Sequence, residues 1–89
     1  MRASVWPYAR DRMTAQDRDE VDAWTRAHPK ATVVIGRNLN RRRFFAHIAR
    51  AVPGTLQSGM HPTSPIDAFR DAAAQVETAV PVEIRSVLS

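Results

Sequence analysis

Residues 31–52 read ATVVIGRNLNRRRFFAHIARAV, and the fold class turns on how this stretch is parsed. Ala31-Thr32-Val33-Val34-Ile35 is short, β-branched and closed by Gly36. It is too brief for a stable helix and too uniformly apolar for a half-exposed strand, which predicts a central strand covered on both faces. From Arg41 the pattern changes. Phe44, Phe45, Ile48, Ala49 and Val52 fall within about 140° of one another at 100° per residue, while Arg43, His47 and Arg50 share the opposite side. With Asn40 as cap and Pro53-Gly54 as the stop, the spacing predicts a helix over 41–52.

Upstream, Thr14 with Asp17 three residues on predicts a helix over 15–28, with Asp17 and Glu20 as the alternative start. Asp17, Asp19, Glu20 and Asp22 suit the positive end of its dipole, Val21 and Trp24 mark its buried side, and Pro29 stops it. Residues 1–13 read as irregular; Pro7 among Val5, Trp6 and Tyr8 allows at most an edge strand. Downstream, Thr55 to Thr63 reads as a loop, with a short extended piece at Thr55-Leu56-Gln57 as the alternative. Ser64-Pro65-Ile66-Asp67 is a cap, a first-turn proline and an N3 acid, predicting a helix over 65–79 broken by Pro81. The alternation of Val82, Ile84 and Leu88 predicts a terminal edge strand.

These elements predict one domain over 14–89, α+β or small α/β. It has three helices and two to three short strands in α-β-α-α-β order, with 31–35 and 82–88 as parallel neighbours. The expected core is Val21, Trp24, Val33, Ile35, Phe44, Ile48, Phe69, Val76 and Ile84. The element order resembles that of a winged helix. It departs from it in the dozen-residue connection after the second helix and in the acids of the third, so under that resemblance DNA contact falls to residues 36–50.

Several classes are excluded or lose support. Among 89 residues there is no Cys, which removes disulfides, thiolate metal sites and a Cys nucleophile. No apolar run approaches the ~20 residues of a membrane span, and no secretory or lipidation signal is seen, so a cytoplasmic protein without membrane contact is the default expectation. His28, His47 and His61 lack helical pairing for a metal, so no metal or cofactor is expected. No nucleophile motif occurs and no catalytic residue is assigned; a ribonuclease-like pairing of His47 as general base with Arg43 is the one enzymatic alternative.

Charge placement carries the functional expectation. Asp and Glu are absent from residues 23–66, a stretch holding seven of the 13 cations, in a chain of net charge +4. Arg41, Arg42 and Arg43 would oppose the dipole of the helix they are expected to open, a conflict that a bound anion removes. Gly36 permits close backbone approach, and Asn38 and Asn40 supply amide donors. Arg37, Asn38, Asn40, Arg41, Arg42, Arg43, His47 and Arg50 are therefore the candidate anion-binding residues, with nucleic-acid phosphate as the expected ligand of a small regulatory or binding protein. The alternatives are an acidic protein surface, a nucleotide or other small anion, or a merely solvated or ion-paired corner. A homodimer through the C-terminal strand is a further possibility. With Trp24, Phe44, Phe45 and Phe69 on expected core faces, only Trp6 and Tyr8 remain for stacking, which argues against a base-stacking platform.

Overall fold

The stretch 31–52 folds as a β-hairpin. In a computed structural model, which describes residues 3–88 and side chains through residue 78, the order is β1 (Ala3–Val5), α1 (Pro7–Arg10), α2 (Ala15–Ala27), β2 (Thr32–Asn38), β3 (Arg43–Ala49), β4 (Leu56–His61) and α3 (Pro65–Leu88). The strands form one sheet in the order β1-β2-β3-β4; β1 runs parallel to β2, and the other neighbours are antiparallel. The result is a single compact α+β domain with three helices and a four-stranded mixed sheet.

The expected helix over 41–52 is corrected to β3 because a second period runs through the same residues. Phe44, Ala46 and Ile48 are buried, whereas Arg43 and His47 are exposed and Phe45 is half-buried, a strand alternation. Asn38 faces Arg43 across the closing pair, and Val33 faces Ile48. The residues between are a turn shaped by Asn38, whose Oδ1 accepts from the amides of Asn40 (3.1 Å) and Arg41 (3.3 Å). Asn40 therefore caps no helix. The expected loop over 55–63 contains β4.

The C-terminal expectation is also corrected. Residues 82–88 belong to α3, which continues past Pro81, so no terminal strand exists to pair with β2 or to seat a dimer. The parallel partner of β2 is β1, reached by a crossover through α1 and α2. The edge strand that Pro7 permits is β1, and behind it Ala9 and Met13 are buried. This sheet also replaces the winged-helix order. β2 is internal, yet helices cover only one of its faces: Val33 and Ile35 are buried, while Thr32, Val34 and Asn38 are half-buried.

The helix starts follow local chemistry. Thr14 and Asp17 exchange both capping-box bonds at 3.0 Å. At α3, the Asp67 amide donates to Ser64 Oγ at 3.3 Å, but the Ser64 amide donates to His61 Nδ1 at 3.0 Å rather than to the Asp67 carboxylate. Ser64→Ala should cost about 0.5–1 kcal/mol, the lower part of the capping range because the bond is long; a denaturant midpoint measures it.

The core lies between sheet and helices. Val33, Ile35, Phe44, Ala46 and Ile48 meet Val21, Ile66, Phe69, Ala72 and Val76. Trp24 is half-buried against it, and the side chain of Ile84 lies outside the described residues. Arg70 clamps α2 to α3 by donating to both carboxylate oxygens of Glu20, at 2.8 and 2.9 Å. Those bonds hold the Glu20 carboxyl below its ordinary value of 4.5. A lowered folded-state value means stability that is present above that pH and lost as pH falls through the lowered one. Glu20→Gln should therefore flatten the loss of stability below pH 4.5, as read from unfolding midpoints against pH.

Candidate nucleic-acid interface

Strand alternation sends one set of side chains into the core and leaves the other on an open sheet face. On β3 and β4 the outer set is Arg43, Phe45, His47, Ala49, Leu56, Ser58 and Met60, of which all but the half-buried Phe45 and Ala49 are exposed. Phe45 stands opposite Gly36 on one side and Met60 on the other. Trp6, at the end of β1, packs over Gly36: a Cβ there would lie 2.7 Å from the indole and 2.8 Å from the Phe45 ring. Gly36 thus clears space for two aromatic rings.

Those rings meet edge to face, with Trp6 and Phe45 centroids 5.3 Å apart and planes at 90°. The His47 imidazole lies 4.8 Å from the Phe45 ring, and its Nδ1 is 2.8 Å from Ser58 Oγ. The turn after β2 walls one end of this row. Together they bound a hollow of about 580 Å³ lined by Trp6, Phe45, His47, Ser58 and Met60 on the floor and by residues 37–41 at the wall.

Of the sequence-derived residues, Arg37, Asn38, Asn40, Arg41 and His47 line this hollow. Arg42 belongs to the same turn, and Arg43 pairs with Asn38 at its base on the outer face. Arg37 is partly turned to packing: its guanidinium carbon lies 5.8 Å from the Phe44 ring centroid, and its Nε is buried with no hydrogen-bond partner. Arg50 is not brought in. It follows the far end of β3, seven residues from Arg43, or about 23 Å along an extended strand.

Sequence reasoning missed Phe45, Met60 and Ser58. The sequence expectation puts Phe45 on a helix core face and the other two in a loop. Reading Phe44, Ala46 and Ile48 at period two would have turned Phe45 outward.

The electrostatics follow the layers. Every acid of the described elements lies on α2 or α3, and the strands carry none. Ion pairs among the described residues join Arg70 to Glu20 and Asp67, so Arg41, Arg42 and Arg43 are unpaired there. Arg42 and Arg50 have φ of 51° and 66°, the left-handed region, where a non-glycine residue costs about 1–2 kcal/mol and asparagine fits better. Among the described residues no group of three His, Asp or Glu could hold a metal, and no helix is long and apolar enough to cross a membrane.

No protein-family model matches the chain, and neither a curated protein nor a solved structure matches it. The site is accordingly defined by its own geometry: a basic turn overhanging an open, aromatic sheet face.

Proposed function

We propose that this is a small binding protein that contacts nucleic-acid phosphates through the turn at residues 39–42 and Arg43. The observation that carries the reading is that three consecutive exposed arginines, free of acidic partners among the described residues, occupy the turn and strand start beside a hollow that Arg41 lines, in the one layer that has no acids. Arg42 adds support. A left-handed position favours Asn or Gly, so an arginine there gives up stability for charge. Guanidinium groups suit phosphate by their planar donor fork, and phosphate contacts of this kind carry little sequence information. Affinity should therefore depend on salt far more than on base composition.

The test is Arg41→Ser, Arg42→Asn and Arg43→Thr together, types that suit a turn, a left-handed residue and a strand. At about 0.7–0.9 units per phosphate, losing three contacts should flatten the plot of log affinity against log salt by about 2–3 units. The circular dichroism spectrum and unfolding midpoint should hold. Anisotropy titrations with labelled DNA and RNA from 50 to 200 mM salt measure the slope. If the variant and the original chain bind alike, or neither binds, the reading fails and an acidic protein surface takes its place.

A further inference from the structure

We infer that the ligand of the open sheet face is an unpaired nucleotide strand, whose bases stack on Trp6, Phe45 and His47 while its phosphates meet the arginine turn. The inference rests on the phosphate reading and adds what that reading leaves open, the strandedness of the ligand.

Trp6, Phe45 and His47 are successive neighbours on the outer face, with ring centroids 5.3 and 4.8 Å apart. Trp6 is 48% exposed and Met60 41% exposed, an unusual outlay of large apolar surface for a domain of this size. Packing does not account for it, because the core lies on the other face. Gly36 strengthens the point. Its missing side chain is what lets both rings settle onto the strand, so this residue preserves an aromatic floor that the core does not need.

The chemistry of the floor and its wall selects the ligand. Aromatic faces gain from stacking on any base, and each base so stacked adds substantially to affinity without reading sequence. A duplex keeps its base faces stacked on each other, so they cannot reach the rings. An unpaired strand presents them freely, and sheet platforms of this width hold two or three bases. His47, Ser58 and Asn40 add donors and acceptors beside the floor for base edges or sugar hydroxyls. An acidic peptide would satisfy the arginines but has no general need of stacked rings. The juxtaposition of rings with cations on an acid-free layer fits a strand with both a π-face and a phosphate per unit.

The experiment compares octamers of single-stranded RNA, single-stranded DNA and the blunt duplex at several salt concentrations from about 50 to 200 mM, with Phe45→Leu as the variant. Leucine keeps apolar volume on the strand and removes the ring. We expect a single strand of at least one sugar type to bind at least about 10-fold more tightly than the duplex. Phe45→Leu should weaken that binding by about 5- to 100-fold with an unchanged salt slope, since stacking is lost and phosphate contacts are kept. If Phe45→Leu fails to fold by circular dichroism, Trp6→Leu at the more exposed ring serves in its place with the same expectation. Equal binding of duplex and single strands, or an unchanged affinity in the ring variant, overturns this inference. In that event a salt slope that still falls in the arginine variant leaves the phosphate reading standing, whereas no binding to any octamer removes both.

Discussion

Gly59→Ala should destabilise the domain by about 3 kcal/mol or more, at or beyond the upper end of ordinary overpacking. Gly59 lies on the inner face of β4 opposite Ala46, directly under α3. A Cβ on it would fall inside van der Waals contact of the Ala68 carbonyl oxygen and 2.8 Å from the Ala72 amide nitrogen. Both obstacles are helix backbone, so no rotamer change relieves them. Either α3 lifts from the sheet or β4 bows outward. Ala68 and Ala72 are themselves fully buried, so the close approach is made by small residues on both sides. Marginal domains hold only about 5–15 kcal/mol in total, and a thin core sits at the low end. Gly54→Ala is the control. That position has φ of 75° with nothing within 4 Å, so its cost is confined to backbone strain of about 1–2 kcal/mol. Chemical denaturation of the two variants side by side separates steric from conformational cost; equal midpoints would mean that α3 does not press on β4.

Gly59 also shows where the sequence stops being legible. In β4 the polar and apolar residues are inverted relative to the usual rule. Gln57 and Gly59 point inward, while Leu56 and Met60 point outward. A reader of hydrophobic alternation sees no strand there, because the inward glycine is required by the distance to a helix folded later in the chain. β3 fails for a related reason. Ala46 contributes little apolar signal between Phe44 and Ile48, and the outward Phe45 completes a false helical stripe with Phe44, Ile48 and Ala49. In residues 80–88, Val80, Ile84 and Leu88 satisfy a helical spacing as well as the alternation does, and Pro81 proved compatible with the helix interior. What was legible was local. The caps at Thr14 and Ser64 are written within four residues and need no tertiary partner. The basic stretch was legible as a cluster of charge, and five of the eight residues singled out in it, two of them arginines, line one hollow. The element carrying them was not: a strand has no helix dipole for the arginines to oppose, so that ground for a bound anion falls. The left-handed Arg42 and the acid-free sheet support the phosphate proposal on different physical grounds.

Phe69→Ala should cost about 3–4 kcal/mol, within the range for a buried phenylalanine truncated to alanine. Phe69 is 1% exposed and is the largest fully buried side chain. Its ring meets Trp24 edge to face at 5.7 Å, so truncation removes an aromatic pair as well as apolar contact. We place the cost below the top of the range because the half-buried Trp24 can settle into part of the vacated space. Phe69→Leu keeps most of the volume and should cost less than about 1.5 kcal/mol. The two tryptophans report on separate layers: Trp24 on the helix side, stacked on His28 at 3.9 Å, and Trp6 on the open face. Phe69→Ala should therefore red-shift the emission of Trp24, isolated by Trp6→Leu, while oligonucleotide affinity in the Trp6-containing chain stays unchanged at temperatures where the variant is folded. A loss of affinity in step with the core substitution would mean that the sheet face is not held independently of the helix layer. An unshifted Trp24 with full stability would mean that Phe69 does not pack against it.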